Sequence, residues 1–206
     1  MKKGLFLSFE GIDGCGKSTQ IAHFKTILEE KKLPYISLRE PGGCDISEKI
    51  RSILLDKKNS RLCDEAEVLL FAAARAQLID EVILPALNEG KIVLCDRYID
   101  SSFAYQAYAR GLGYDFVCGA NAYAIKSCMP DRTFFFNASP NDVLKRVTSR
   151  GGLDRLELLG TDFQAKVYDG YLRLIKKDPE RFIIINAEKT AAEVSKEISL
   201  KAEEIF

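Results

Sequence analysis

The 206-residue chain lacks the marks of several protein classes. It has a single histidine, and none of its six cysteines forms a Cys-x-x-Cys pair, so the sequence shows no metal-site spacing. No window approaches the apolar length that spans a bilayer. The apolar run near the N-terminus is too short for a signal peptide and is followed at once by Glu10. We therefore expect a reduced, cytoplasmic protein with no membrane partner.

The sequence also lacks an excess of charge of one sign. Thirty lysines and arginines balance thirty aspartates and glutamates, and no basic tract is present. A nucleic acid is therefore not an expected partner. Repeats, low-complexity tracts and Pro/Ser-rich linkers are absent, and 47% of the residues are hydrophobic, which together predict a single domain over 1–206.

Five short apolar runs are nearly continuous rather than alternating, which predicts strands covered on both faces. These runs lie at 5–9, 35–38, 92–95, 133–136 and 182–185. Apolar residues at helical spacing predict helices at 17–31, 46–55, 64–88, 101–110, 114–128, 140–149, 161–177 and 189–204. The alternation predicts an α/β fold, a five-stranded, mainly parallel sheet flanked by helices. Ligands of such folds bind outside the carboxyl ends of the strands.

Residues 11–18 read Gly-Ile-Asp-Gly-Cys-Gly-Lys-Ser, the G-x-x-x-x-G-K-[ST] pattern of a phosphate-binding loop. The loop follows the first predicted strand and precedes the first predicted helix, an order that presents a helix N-terminus to an anion. Its glycines let backbone N–H groups point at phosphate oxygens. Lys17 brings a cation to the β and γ phosphates, and the Ser18 hydroxyl can ligate Mg²⁺.

Charged doublets follow the next two predicted strands. Arg39-Glu40-Pro41-Gly42-Gly43 comes after the second strand, and Asp96-Arg97-Tyr98 comes after the third. Asp96 ends an apolar strand and can hold Mg²⁺ directly or through water. Arg97 supplies a planar fork suited to phosphate. Each doublet alone could be a solvated strand end or a plain ion pair, but two of them favour a site.

Two further groups of residues suggest nucleotide chemistry. Phe71 and Arg75 lie four residues apart on one predicted helix, so a ring and a guanidinium share a face that could stack a base and grip its edge. The alternative is core packing with a snorkelling arginine. Arg150 and Arg155 flank Gly151-Gly152 on a segment that could close over the loop as a lid, although arginines at a helix end are often merely solvated.

Taken together, these motifs resemble the thymidylate kinase family of nucleoside-monophosphate kinases, in its bacterial form. The resemblance runs almost end to end and rests on 9–19, 39–43, 71–75, 96–98, 150–155 and Ser101, Ser102, Tyr105 and Gln106. It implies a P-loop NTPase-type sheet with a helical or loop lid at about 146–160. It also implies transfer of the ATP γ-phosphoryl group to dTMP, giving dTDP and ADP in dTTP biosynthesis, with Mg²⁺ and in a homodimer.

The resemblance assigns residues to each ligand. ATP would bind to the phosphate loop at Gly11, Ile12, Asp13, Gly14, Cys15, Gly16, Lys17, Ser18 and Thr19. The residues that would contact dTMP are Asp13, Glu40, Pro41, Phe71, Arg75, Arg97, Ser101, Ser102, Tyr105 and Gln106. The metal would lie at Ser18, Asp96 and Glu40, and catalysis would rest on Lys17, Arg97, Arg150 and Arg155.

The resemblance also implies what several of these side chains do. Phe71 would stack on thymine, and Arg75 with Gln106 or Ser102 would read the base edge. Arg97 would hold the acceptor phosphate. By the same resemblance, Asp13 would meet the sugar 3′-hydroxyl or the metal region, and Tyr105 would crowd the 2′ position.

Two positions depart from relatives. Some relatives carry an arginine within the phosphate loop, where this chain has Gly14, so the positive charge is expected from the lid. Asn186 follows the last predicted strand where relatives often have aspartate, which leaves the adenine side open.

Other functions remain as alternatives. A P-loop kinase of another nucleoside or nucleoside monophosphate would share most of these motifs. A phosphate-loop switch or nucleic-acid ATPase is disfavoured because an Asn-Lys-x-Asp motif and a basic tract are absent. A binding module without activity is hard to reconcile with an intact Gly16-Lys17-Ser18 and Asp96-Arg97.

Overall fold

The computed structural model describes residues 4–141, 143 and 155–206. Its sheet has the strands β1 Leu5–Glu10, β2 Tyr35–Arg39, β3 Ile92–Asp96, β4 Arg132–Asn137 and β5 Phe182–Asn186. All neighbouring strands pair in parallel, in the order β2-β3-β1-β4-β5. The five predicted strands are confirmed, each longer by one residue at one or both ends. β1, β3 and β4 are almost wholly buried, as expected of strands covered on both faces.

Helices connect and flank these strands. Within the described residues the α-helices are α1 Lys17–Glu30, α2 Asp45–Leu55, α3 Asp64–Leu78, α4 Leu84–Asn88, α5 Ile99–Ser102, α6 Tyr114–Ala120, α7 Ala122–Ser127, α8 Gly160–Lys177 and α9 Ala191–Ile205. A π-helix at Ile79–Ile83 joins α3 to α4, and a second at Phe103–Ala109 continues α5.

Three helix predictions need correction or fall outside this description. The helix predicted at 101–110 is largely π-helical, and the one predicted at 114–128 is interrupted at Asn121. Asn121 has φ −101° and ψ 15°, and its side-chain oxygen accepts a hydrogen bond from Arg75, a tertiary contact that the local pattern does not contain. The helix predicted at 140–149 and most of the predicted lid lie outside the described residues.

Aromatic side chains of β4 tie the sheet to helices on both of its faces. Successive side chains of a strand point to opposite faces. Phe134 stacks on Phe9 with ring centroids 5.2 Å apart and meets Phe24 of α1 edge-on at 5.5 Å. Phe135 points the other way and packs against Tyr171 of α8 at 5.2 Å. The strand β4 therefore anchors α1 on one face and α8 on the other.

Strand register brings three loops together. Phe9 of β1 and Arg39 of β2 both pair with Asp96 at the end of β3. The carboxyl ends of these strands therefore lie side by side, and the segments that follow them start from one edge of the sheet. This is the edge at which ligands bind in parallel α/β sheets.

The described residues lack several features of other protein classes. All six cysteines are free thiols. None of the helices in 4–141 or 155–206 is long and apolar enough to cross a membrane. In the same part of the chain no three histidine, cysteine, aspartate or glutamate side chains are grouped as a metal site.

Candidate active site

A cavity of about 640 Å³ opens at the carboxyl ends of β1, β2 and β3. This volume is in the range of small-molecule sites. All ten residues predicted to contact dTMP line it. Of the residues predicted for ATP, those that line it are Asp13, Gly14, Gly16, Lys17, Ser18 and Thr19. Gly11, Ile12 and Cys15 are buried instead and do not belong to the cavity wall.

The phosphate loop is shaped by glycines in conformations that other residues rarely adopt. Gly16 precedes α1 at φ +97°, and it has no side chain to cap the first-turn N–H groups. Gly11 has φ +142°, and a Cβ there would lie 2.9 Å from the carbonyl oxygen of Phe136. Lys17 Nζ donates to the carbonyl oxygens of Gly11 at 3.0 Å and Ile12 at 3.3 Å. The loop therefore holds N–H donors and one ammonium group ready for an anion.

The donor set beside the loop fits Mg²⁺. Ser18 Oγ donates to Asp96 Oδ2 at 3.4 Å, so a hydroxyl and a carboxylate from different elements meet at the cavity wall. Mg²⁺ prefers oxygen ligands and is usually bound by one or two protein groups together with phosphates and water. Glu40, the third predicted ligand, lines the cavity but has its Oε2 on Arg75. Ser18 and Asp96, which contact each other at the cavity wall, are therefore side chains that could hold such an ion.

Arg97 lines the cavity and has a strained backbone conformation. Its φ of +66° is in the left-handed region, which a long side chain seldom adopts. Nη2 donates to Asp13 Oδ1 at 2.6 Å, and Nη1 donates to Ser101 Oγ at 3.1 Å and to the Tyr171 hydroxyl at 3.3 Å. Such strain is typical of functional positions that their surroundings fix.

Asp13 is ionised by its neighbours. Burial by itself would raise the pKa of Asp13, but the Arg97 guanidinium and the Lys17 ammonium outweigh it and lower the pKa to about 2. The Tyr105 hydroxyl donates to Asp13 Oδ2 at 3.0 Å, and burial raises the pKa of Tyr105, which keeps it a donor. The Arg97 guanidinium lies 5.2 Å from the centroid of the Tyr105 ring. These three side chains form one ordered unit.

Glu10 was not predicted as a site residue, although it lies within the 9–19 segment that carries the family resemblance, because it ends an apolar strand. It is fully buried, and its Oε1 accepts from the backbone N–H of Tyr98 at 2.7 Å. Its Oε2 accepts from Ser101 Oγ at 2.6 Å and from the Tyr171 hydroxyl at 2.8 Å. Burial raises the pKa of Glu10, and the negative charge of Asp100 raises it further. Glu10 therefore fixes the two hydroxyl groups that Arg97 contacts.

Arg75 is buried and fixed by partners from several elements. Its Nε and Nη2 contact Glu40 Oε2 at 2.7 and 2.6 Å, and Nη1 donates to Ser102 Oγ at 3.0 Å and to Asn121 Oδ1. Burial raises the pKa of Glu40 to about 7 although Arg75 opposes the shift. Glu40 Oε1 is buried without a hydrogen-bond partner among the described residues. Phe71, four residues before Arg75, lines the same cavity.

The structure places Arg155 away from the phosphate loop. Its Nε donates to the Leu54 carbonyl oxygen at 2.7 Å and its Nη2 to Glu67 Oε2, and it is not part of the cavity wall. Arg150, the other predicted lid arginine, lies outside the described residues. Leu156, which the motifs did not point to, does line the cavity. Arg51 of α2 was also missed, since it belongs to an amphipathic helix with no motif.

Comparison with known proteins agrees with this geometry. A family model described as thymidylate kinase matches residues 9–198. The chain belongs to the thymidylate kinase family.

Similarity to individual members of the thymidylate kinase family extends over nearly the whole chain. A thymidylate kinase of Bacillus velezensis is 49% identical over 188 residues, which cover 90% of this chain and 89% of that relative. One of Thermoanaerobacter sp. strain X514 is 47% identical over 196 residues, covering 95% and 96%. One of Clostridium novyi is 44% identical over 200 residues, covering 96% and 98%.

Proposed function

We propose that this protein is a thymidylate kinase, which transfers the γ-phosphoryl group of ATP to dTMP and releases dTDP and ADP. The observation that carries the proposal is one continuous cavity that joins the phosphate loop to the wall of Phe71, Arg75 and Gln106, with Arg97 also on its wall. A phosphate loop alone could bind any nucleotide. The wall beyond it adds an aromatic ring and polar groups that could bind the base of a second nucleotide. Family membership supports the same reaction.

The donor nucleotide is bound by the loop and the start of α1. Backbone N–H groups of the loop and the Lys17 ammonium would surround the β and γ phosphates. Ser18 and Asp96 would hold Mg²⁺, which when bound neutralises charge on the phosphates. Lys17 bonds two loop carbonyl oxygens in the structure, so it is already directed toward the interior of the loop.

The acceptor phosphate is assigned to Arg97. Its guanidinium is a planar donor, and Asp13, Ser101 and Tyr171 hold it in one orientation. Holding two phosphates in line and neutralising their charges accounts for most of the catalysis in phosphoryl transfer. Asp13 would accept from the sugar 3′-hydroxyl, and Tyr105, fixed on Asp13, would crowd the 2′ position.

The base is assigned to the wall beyond Arg97. Phe71 is half-buried and would stack on the pyrimidine. Arg75 and Ser102 would contact the base edge, and Glu40 fixes Arg75 in place. Gln106 lines the same wall and completes the contacts to the base edge.

The lid would supply the remaining positive charge. Gly14 adds none within the loop, so an arginine from elsewhere is needed at the transition state. Arg150 remains the candidate for this role. Arg155, held by Glu67 and the Leu54 carbonyl oxygen, would anchor the end of the lid beside α2 and α3. Closure over the cavity would exclude water and limit hydrolysis of ATP.

We also propose a cytoplasmic homodimer. Leu69 of α3, Phe116 of α6 and Tyr123 of α7 are each between 44% and 55% exposed. α3 contacts both α6 and α7, so a second copy could cover these apolar side chains together. The six free thiols are in keeping with a reducing compartment.

An acceptor panel tests the reaction. ADP release would be measured with ATP, Mg²⁺ and one acceptor at a time: dTMP, dUMP, dCMP, thymidine or AMP. We expect dTMP to give the highest kcat/KM. Preference for another nucleotide or for thymidine would instead identify a kinase with a different acceptor. ADP release that needs no acceptor, or that DNA stimulates, would contradict the kinase proposal.

A further inference from the structure

Glu67 is a fully buried carboxylate that lies next to the cavity wall without lining it. Its Oε1 accepts a hydrogen bond from Gln106 Nε2 at 2.9 Å. Its Oε2 accepts from Arg110 Nη2 at 2.9 Å and from Arg155 Nη2. Arg110 Nε also donates to Oε1, at 3.4 Å, so two guanidinium groups pair with this carboxylate and its Oε1 is shared between Arg110 and the Gln106 amide.

The hydrogen bond between Glu67 and Gln106 determines which end of the Gln106 amide faces the carboxylate. A side-chain amide donates from its NH₂ end and accepts at its carbonyl end, whereas an ionised carboxylate only accepts. Glu67 therefore requires the NH₂ end of Gln106. Gln106 Oε1 has no hydrogen-bond partner among the described residues, and Gln106 lines the cavity. The carbonyl oxygen is thus the end left for a ligand.

We propose that Glu67 is a positioning residue that sets base specificity by fixing the amide of Gln106 with its carbonyl oxygen toward the base. Thymine and uracil carry an N3–H donor on their pairing edge, whereas cytosine carries an unprotonated N3 acceptor there. An acceptor at Gln106 Oε1 bonds the first two bases and repels the third. The inference rests on the proposed function, because it takes the acceptor base to lie against Gln106.

Glu67→Gln separates amide orientation from side-chain size. The variant has one acceptor oxygen where the protein has two, and the cationic Arg110 and Arg155 would take it. The NH₂ group of residue 67 would then face Gln106. Gln106 would turn its own oxygen toward that donor and present its NH₂ end to the cavity, which suits the N3 acceptor of cytosine.

The test is kcat/KM for dTMP, dUMP and dCMP in the full-length protein and in Glu67→Gln. We expect the dTMP-to-dCMP ratio to fall at least about tenfold in the variant, while the dTMP-to-dUMP ratio stays within about twofold. The second ratio is an internal control, because thymine and uracil share the N3–H donor. A general structural defect would lower all three values together and leave both ratios unchanged, and that result would overturn the inference.

Arg110→Gln is the matched control. It removes one of the two cations on Glu67 but leaves the carboxylate opposite Gln106. We expect both ratios to match those of the unmodified protein. A fall in the dTMP-to-dCMP ratio as large as that in Glu67→Gln would show that ion pairing, not amide orientation, controls specificity, and would contradict the inference.

Gln106→Leu keeps the inference testable if Glu67→Gln fails to fold, as judged by its thermal unfolding. Removing the carbonyl oxygen should lower kcat/KM for dTMP but not for dCMP, since the repulsion is removed too. An equal loss for both nucleotides would overturn the inference. Absence of any dTMP phosphorylation by the unmodified protein would instead contradict the proposed function itself, so the two failures are distinguishable.

Discussion

At the scale of single residues, Arg97 combines backbone strain with a side chain that three hydrogen bonds hold in place. The left-handed conformation at φ +66° costs about 1–2 kcal/mol for a residue other than glycine. Its guanidinium is held by Asp13, Ser101 and Tyr171, and Glu10 in turn holds the last two. Stability is thus given up at the end of β3 to fix one guanidinium at the cavity wall.

Arg97→Ala tests this assignment. We expect kcat/KM for dTMP to fall about 10²–10³-fold, because the acceptor phosphate loses its fixed charged donor. Steady-state kinetics at varied dTMP measures the effect. Arg132→Ala, an exposed arginine outside the cavity wall, is the control and should leave kcat/KM unchanged. An unaltered dTMP saturation curve in Arg97→Ala would rule out the assignment.

Glu40 predicts a pH dependence of stability. Its pKa is raised by burial from 4.5 to about 7 in the folded protein, so folding favours the protonated carboxyl group. This contribution is fully present below about pH 4.5 and is lost as the pH rises through about 7. The free energy of unfolding in urea should fall less in Glu40→Gln than in the unmodified protein as the pH rises from 5 to 7.5. The two decreases should differ by about 3 kcal/mol at most.

Glu48→Gln is the control for this pH dependence. Hydrogen bonds from Arg39 and from the Gly43 N–H lower the pKa of Glu48 to about 2. Its contribution is therefore present above about pH 4.5 and is lost only as the pH falls toward 2. Between pH 5 and 7.5 this variant should show the slope of the unmodified protein. Equal slopes for Glu40→Gln and the unmodified protein would mean that Glu40 does not titrate in this range.

At the scale of elements, the site depends on where α1 begins and on the π-helical turns of Phe103–Ala109. α1 starts at Lys17 directly after Gly16, so its N-terminus faces the cavity. The π-helix Phe103–Ala109 brings both Tyr105 and Gln106 to the cavity wall although they are adjacent in sequence. Such π-helical turns are frequent at functional sites. Both elements therefore present backbone or side-chain groups to the cavity.

Gly16→Ala tests the start of α1. The φ of +97° strains any other residue, so we expect a loss of stability of about 1 kcal/mol. No atom lies within 4 Å of a Cβ at this position, but that space adjoins the cavity, so KM for ATP should rise about tenfold or more. Chemical denaturation and steady-state kinetics measure the two effects.

Gly111→Ala is the matched variant for this experiment. Gly111 has φ +79°, a Cβ added there would meet no atom within 4 Å, and the residue does not line the cavity. It should lose similar stability and keep its KM for ATP. If both variants raised KM equally, the effect would be one of stability and not of phosphate binding.

At the scale of the whole molecule, the strand order determines where the substrates meet. β1 lies between β3 and β4, so the phosphate loop is central in the sheet. The segments after β2 and β3, which carry Glu40 and Arg97, lie on one side of it. The apolar side chains exposed on α3, α6 and α7 belong to a different surface, which the proposed dimer would cover.

Leu69→Glu tests the dimer. Leu69 is 55% exposed on α3, and a charge buried there against a second copy would be costly. We expect light scattering to give a dimer for the unmodified protein and a monomer for the variant. Leu200→Glu, with Leu200 53% exposed on α9, should remain a dimer. A monomer before any substitution would contradict the proposal.

Local sequence signals were sufficient for the sheet and the phosphate loop. Continuous apolar runs predicted the five strands to within one residue at each end, because buried parallel strands need apolar side chains on both faces. The doublets Arg39-Glu40 and Asp96-Arg97 were predicted to belong to a site because ligands of parallel sheets bind outside the carboxyl ends of the strands. The helix interruption at Asn121 was not predicted, and the side chain there bonds Arg75, a distant partner that no local pattern contains.

The sequence by itself determined the α/β class and the phosphate-binding loop, since both depend on short patterns and strand order, and it pointed to many residues of the cavity wall but not to Arg51 or Leu156. Tertiary structure alone decided which partners those residues meet. It placed Arg155 on Glu67, Ser101 on Glu10, and Glu67 against the amide of Gln106. These contacts join residues 39 to 91 positions apart, and no local periodicity carries information over such distances.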